Sequence, residues 1–215
     1  VERLAGQLVE RGHEVTALTR SPERAAELAR AGLRTVVGDV LDTRSLAALP
    51  AADVLLYAVG YDRTAGQDKR TVYGEGLRQV LHAVQERVGR CIYVSSSSVY
   101  GQDAGEWVDE TSPTEPQTEG GRSCLAAEEG VLRSPLGLAD RSCILRLSGI
   151  YGPDRLLAKV DALRQGTPLA GSPEAWLNLI HVDDAAAAAS AAAESPAPQP
   201  LYLVSDDRPV TRGEY

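Results

Sequence analysis

A chain of 215 residues and 22.8 kDa, 43% hydrophobic and 24% charged, has the balance of a folded globular protein rather than a disordered one. Its 22 basic against 30 acidic side chains leave a net charge of -8 with no basic run, which excludes a nucleic-acid surface built on clustered cations. No apolar run approaches the ~20 residues of a membrane span, and three cysteines (Cys91, Cys124, Cys143) make neither a disulfide framework nor a paired metal spacing, so a cytoplasmic protein with reduced thiols and no metal site is expected.

The chain contains no Met and no Phe and opens inside a helical pattern, so it is expected to be a fragment or to have lost residues of the full gene product, and no secretory signal is visible at its start. Leu4, Leu8 and Val9 fall at helical spacing, with Gly12 as the stop. Glu14 to Thr19 reads as a short buried strand. Ser21-Pro22-Glu23 then starts a helix, with Ser as N-cap, Pro in the first turn and an acid facing the positive end of the helix dipole. A second strand is expected over Thr35 to Gly38, a short helix over Thr43 to Leu49, a third strand over Asp53 to Val59, and a long helix over roughly Asp68 to Val88. Cys91 to Ser95 reads as a fourth strand, Arg122 to Leu132 as a helix and Ser142 to Leu147 as a fifth strand. Further on, the pattern gives a helix near Leu156 to Arg164, a strand around Leu177 to His181, an alanine-rich helix over Ala185 to Ala193 and a last strand over Leu201 to Val204. Strands that alternate with helices and run as continuous apolar stretches imply a doubly wound parallel α/β sheet, Rossmann-like. The division expected is a dinucleotide-binding domain over 1–150 and a small substrate lobe over 151–215, interleaved with the last strands.

Ligands of such a sheet bind beyond the carboxyl ends of its strands, so the residues after each strand are the candidates. After the first come Arg20 and Ser21: Arg20 suits a ribose 2′-phosphate, or is a solvated residue beside a helix cap. After the second, Asp39 and Val40 form a short acidic loop suited to adenine. After the third come Val59, Gly60 and Tyr61, where Gly60 lets backbone approach a ligand. After the fourth stand four serines, Ser95 to Ser98, where a hydroxyl could bond a substrate oxygen and a plain serine-rich loop is the commoner explanation.

Gly12-His13-Glu14-Val15 with Thr19-Arg20, Gly38-Asp39, Val94 to Gly101 (VSSSSVYG), Arg146 to Pro153 (RLSGIYGP) and Leu179 to Asp184 (LIHVDD) together resemble the extended short-chain dehydrogenase/reductases, the NAD-dependent epimerase/dehydratase family, over nearly the whole chain. The resemblance implies an NAD or NADP cofactor, with Arg20 tilting toward NADP, and a small-molecule substrate whose oxygen Ser96, at the place of the family's catalytic Ser/Thr, would orient. It also implies a Tyr and a Lys four residues apart on the following helix. Here Gly120 and Cys124 stand in those places, and Ser97-Ser98 replaces the acidic pair of the dehydratases. The family's first strand and glycine-rich phosphate turn would precede Val1. That strand is central to the sheet, so a domain without it would expose two inner edges. His13 and His82 read as surface residues, His181 and Asp183-Asp184 as a structural helix start, and Cys124 as a packed thiol; Tyr61, Tyr100 and Tyr151 are the tyrosines that could face the cleft, and Trp107 and Trp176 could line a substrate lobe. Two functions follow: an oxidoreductase acting on a hydroxyl or carbonyl of a small molecule or sugar derivative, or a dinucleotide-binding regulator that has lost the chemistry. Pairing into a homodimer through the helix at 68–88 is the family's habit.

Overall fold

The computed structural model describes residues 2–62, 66–132, 139–153, 164–166 and 171–215. Helix α1 (Glu2–Glu10) leads into strand β1 (Thr16–Thr19), helix α2 (Pro22–Arg30) and strand β2 (Arg34–Val37). Strand β3 (Ala52–Tyr57), helix α3 (Gly76–Val84), strand β4 (Val88–Ser96), helix α4 (Glu119–Leu132) and strand β5 (Ser142–Leu147) follow. The C-terminal part holds β6 (Gly149–Tyr151), β7 (Trp176–Leu177), β8 (Leu179–His181), helix α5 (Val182–Glu194), β9 (Leu201–Val204) and β10 (Val210–Thr211). The helix expected near Leu156 lies outside the described residues.

The expected parallel sheet is present: β3, β4, β5 and β9 pair in that order, all parallel, with Tyr57 level with Tyr93 and Tyr93 level with Ile144. β1 and β2 form a second parallel pair, and among the described residues no ladder joins β1 to β3. β6 pairs with β8 in parallel, and β7 with β10 antiparallel.

Both faces of the central sheet are covered, which is why its strands read as unbroken apolar runs. Along β4, Cys91 and Tyr93 face a cluster with Leu77, Val80 and Leu81 of α3 and Ala127 and Val131 of α4, while Ile92 faces Leu4 of α1 and Ala185, Ala186 and Ala189 of α5. The alanine-rich stretch is therefore a packed helix. Its small side chains leave room for the leucine of α1 against the same strands.

The long helical pattern at 68–88 is interrupted. Residues Thr71–Glu75 form a π turn in which the Gly76 N–H reaches back to the Thr71 carbonyl. The cause is local: the Tyr57 hydroxyl donates to the Val72 carbonyl at 3.1 Å, taking the acceptor that a regular helix would give to Gly76. The same tyrosine and Val40 crowd Gly76, where a side chain would have its Cβ 2.8 Å from Val40 Cγ2. At the other end the Arg87 guanidinium binds the Leu49 and Ala83 carbonyls, closing the helix at Val84 and letting β4 begin at Val88, three residues before the apolar run. His181 itself caps α5, its Nδ1 accepting from the Asp183 N–H at 3.3 Å, with Asp183 and Asp184 in the first turn where the dipole favours acids.

Candidate functional site

The parallel strands carry the sequence candidates to their carboxyl ends, as expected, but several of those side chains are already engaged. Arg20, past β1, donates from Nη2 to Asp62 Oδ2 past β3 at 2.7 Å, so these two strand ends are tied across the edge of the molecule. Both side chains are about half exposed, and a pair so screened is worth at most about 1 kcal/mol; a dianionic phosphate can therefore compete for Arg20. Ser21 is the N-cap of α2, its Oγ accepting from the Arg24 N–H at 3.1 Å and donating to Glu23 at 2.6 Å. Asp39 accepts from the Leu41 N–H at 2.9 Å, and Val40 is buried under α3. Val59 packs on the core, and above Gly60 nothing lies within 4 Å of where a Cβ would stand.

β4 delivers the serines. Alternation points Ser95 toward α4, where it is buried, and Ser96 ends the strand by capping a 3-10 turn, Ser97–Val99, its Oγ accepting from the Ser98 N–H at 3.2 Å. That bond uses an oxygen lone pair, so the Ser96 hydroxyl proton remains to donate. The turn is clamped by glycine: a side chain at Gly121 of α4 would run into the Ser98 carbonyl, and one at Gly101 into the Glu115 carbonyl.

Beneath the serines lies a charged network that reading the sequence missed. Glu128 of α4 (2% exposed) accepts from Ser95 Oγ at 2.5 Å and from Arg146 of β5 (6% exposed) at 2.7 Å through Nη2 and 3.1 Å through Nε. Arg146 Nη1 donates to the Tyr100 hydroxyl at 2.8 Å, which donates on to the Asp109 carbonyl at 2.8 Å. Burial works against the Arg146 charge, but the bonds to Glu128 and Tyr100 more than offset it and hold its pKa above the ordinary value. The signal was available: an Arg in the fully buried strand Ser142–Leu147 requires a buried counter-charge. Glu128 is thus not a base for Cys124, whose thiol is pushed up by burial and by Glu128 and is bonded to Tyr93.

Above the network, α4 carries neither Tyr nor Lys. A Cβ at Gly120 would stand 3.5 Å from Lys69 Nζ, and the same ammonium lies 5.6 Å from the Tyr61 ring centroid. Lys69 is one of two lysines in the chain, half-buried just before the π turn, and has no carboxylate partner among the described residues. Sequence reading passed over it because it stands outside any motif. Tyr100 is spent on Arg146, and Tyr151 packs edge-on to His181 with centroids 5.3 Å apart. Trp107 and Trp176 are exposed, His13 and His82 lie on the surface as expected, and no metal-binding cluster occurs among the described residues.

The residues present suit the adenosine end and the reactive end of a dinucleotide: a displaceable guanidinium, an acceptor at Asp39, open backbone at Gly60 and a hydroxyl at Ser96. Among the described residues no glycine-rich turn cradles a pyrophosphate.

Residues 2–204 match the family model described as the NAD dependent epimerase/dehydratase family. Protein YeeZ of Escherichia coli K12 is 31% identical over 208 residues, covering 94% of this chain and 72% of its own. The 3-diazoavenalumate denitrifying reductase of a Streptomyces species is 29% identical over 236 residues, covering 99% of this chain and 74% of its own. Among solved structures, a Methylobacillus flagellatus protein described as an NAD-dependent epimerase/dehydratase superposes with a TM-score of 0.78 at 33% identity, covering 99% of this chain and 74% of that one. DesIV of Streptomyces venezuelae, a dTDP-glucose 4,6-dehydratase with NAD and TYD bound, superposes with a TM-score of 0.80 at 26% identity, with the same coverage.

Proposed function

The chain belongs to the NAD dependent epimerase/dehydratase family, and we propose that it binds NADP or NAD along the carboxyl edge of β1–β4 and acts as an oxidoreductase on a hydroxyl or carbonyl of a small molecule. The observation that carries this reading is that Arg20 and Asp39 follow the carboxyl ends of the β1–β2 pair, Gly60 and Ser96 those of β3 and β4, and the Arg20–Asp62 bond ties the two sets of strand ends together, with open space at Gly60 where a flat ring can lie against backbone. When bound, the dinucleotide gives or takes hydride. Arg20 holds the ribose 2′-phosphate in place of its exposed bond to Asp62, Asp39 bonds adenine, and the Ser96 hydroxyl, held by the Ser98 amide, donates to the substrate oxygen.

Fluorescence titration of NADPH and NADH into the protein tests the reading. Binding of at least one is expected, and binding of neither overturns it. Arg20→Ala should weaken NADPH on the order of tenfold, the loss of about 1.4 kcal/mol of charge-assisted bonding, and leave NADH unchanged. A second reading, a dinucleotide-binding sensor without turnover, is favoured by α4, which has Gly120 and Cys124 where the resemblance implies Tyr and Lys. It predicts binding without oxidation of NADPH across a carbonyl panel.

A further inference from the structure

We infer that Tyr61 is the proton donor of this site and Lys69 the ammonium that positions and charges its surroundings, a phenol–ammonium pair supplied from the β3–α3 segment rather than from α4; the inference rests on the oxidoreductase reading above. Three observations converge on it. First, the volume in front of α4 that Gly120 leaves open is filled by Lys69 Nζ, 3.5 Å from the position of the absent Cβ. Second, that ammonium has no carboxylate partner among the described residues and lies over the Tyr61 ring, within cation–π reach at 5.6 Å. It also stands beside the N-terminal end of the 14-residue α4, where the helix dipole adds positive potential. A half-buried cation at the positive end of a helix favours a developing negative charge, which is what a tyrosine forms as it gives up its proton.

The third observation is elimination. Of eight tyrosines, Tyr57 donates to the Val72 carbonyl, Tyr93 bonds Cys124, Tyr100 bonds Arg146 and the Asp109 carbonyl, and Tyr202 accepts from the Gln199 amide. Tyr73 is bonded to the Tyr61 backbone and raised by burial, Tyr151 is packed on His181, and Tyr215 is exposed. Tyr61 stands four residues past β3, whose Tyr57 is level with Tyr93 of β4, so its loop and the serine turn share one sheet edge. In the reductive direction the Tyr61 hydroxyl would give its proton to the substrate oxygen, the hydride for the substrate carbon being what a bound reduced dinucleotide would supply. The tyrosinate so formed is stabilised by the Lys69 ammonium and reprotonated from water, and the oxidative direction is the reverse.

The test measures, for wild type, Tyr61→Phe, Lys69→Met and Lys69→Arg, the dissociation constants of NADPH and NADH by fluorescence and single-turnover oxidation of the bound reduced dinucleotide by a panel of quinones, diketones and aldehydes, with 9,10-phenanthrenequinone as the first probe. Reductive methylation with 13C-formaldehyde provides a reading without turnover. The chain has two lysines, so the Lys69 methyl signal is identified by its loss in Lys69→Arg, and it should be displaced by the Tyr61 ring current in wild type and not in Tyr61→Leu. Expected are unchanged dinucleotide binding, a single-turnover rate at saturating carbonyl probe lowered at least 100-fold in Tyr61→Phe and Lys69→Met with its half-saturating probe concentration unchanged, and partial recovery in Lys69→Arg. Turnover retained in Tyr61→Phe, or a Lys69 signal indifferent to Tyr61→Leu, overturns the assignment and leaves the oxidoreductase reading standing. Dinucleotide binding with no turnover by wild type on any probe overturns both.

Discussion

At the scale of single residues, the Glu128–Arg146 pair is the most constrained contact described, because each charge is buried and each depends on the other. Removing one partner strands an uncompensated charge. Glu128→Ala should therefore cost about 3–5 kcal/mol of unfolding free energy in urea, whereas Glu128→Met combined with Arg146→Met should cost less than the sum of the two single changes. Additive losses would show that the two side chains are not coupled. The pair was half legible in the sequence. Arg146 interrupts an apolar strand, but its partner sits 18 residues away on a helix whose face cannot be fixed without tertiary contacts. Ser96, Arg20 and Asp39 were legible as strand-end residues. Their existing partners were not, since Arg20 meets Asp62 across 42 positions of chain. Lys69 was invisible for the same reason: what marks it is the emptiness at Gly120, and an absent side chain announces nothing until a neighbour is seen filling its place.

Among elements, α3 and α4 pack by their apolar side chains, but each also makes one close approach that only glycine allows, Gly76 against Val40 and Gly121 against the Ser98 carbonyl. Gly121→Ala should push the first turn of α4 off the serine turn, lowering stability by about 1–3 kcal/mol, the usual cost of overfilling a tight contact. It should weaken any substrate dependent on Ser96 more than it weakens the dinucleotide, which a binding comparison on the one variant would check. At the π turn, Glu75 accepts from Arg78 at 2.6 Å and from Gln79 at 2.9 Å, and these bonds, Arg78 first, hold its pKa at about 2, well below the ordinary carboxylate value of 4.5. Because the folded-state value is the depressed one, the contribution is present above about pH 4.5 and disappears as pH falls toward 2. Both side chains are substantially exposed, so screening keeps it below about 1 kcal/mol. Wild type and Glu75→Gln should then differ slightly in urea midpoint at pH 6 and converge near pH 2; a difference that grows in acid would contradict this. Most of the helix and strand order followed from apolar runs and cap residues, and β5 and β9 were placed to the residue, but β6 and β10 were not expected and the strand expected around Leu177 to His181 is two short strands, β7 and β8. The π turn was not legible, because its cause is a tyrosine hydroxyl from a strand fifteen residues upstream.

For the whole molecule, the central sheet separates two apolar layers, and each contains a cysteine: Cys91 on the α3–α4 side, Cys143 on the α1–α5 side. Burial, with Cys143 as a lesser cause, raises the Cys91 thiol to about 12, and burial raises Cys143 to about 11 against the opposing charge of Arg90. Neither should react with Ellman's reagent at pH 8 in the folded state, and both should become reactive in a single phase across the urea transition. Two separated phases would show that the layers open independently. The unfolded thiols ionise near pH 9 while the folded ones stay protonated, so stability should decline between about pH 9 and 12. The parallel architecture could be anticipated because burial on both faces writes itself into composition. How α1 closes against α5, through Arg3 to Asp183 at one end and Arg11 and His13 to Glu194 at the other, could not, as those partners stand some 180 positions apart.

The tie between Arg20 and Asp62 gives this edge of the molecule a shared latch. Asp62 directly follows Tyr61, so whatever draws the guanidinium of Arg20 toward itself also loosens one hold on the segment that carries the phenol. If Arg20 selects the cofactor and Tyr61 gives the proton, as proposed, the choice of dinucleotide and the posture of the phenol would be a single adjustment. A phosphorylated ribose would loosen that segment where a bare one would leave it fastened, and raising ionic strength should narrow the difference between the two dinucleotides by weakening the doubly charged contact faster than the single one.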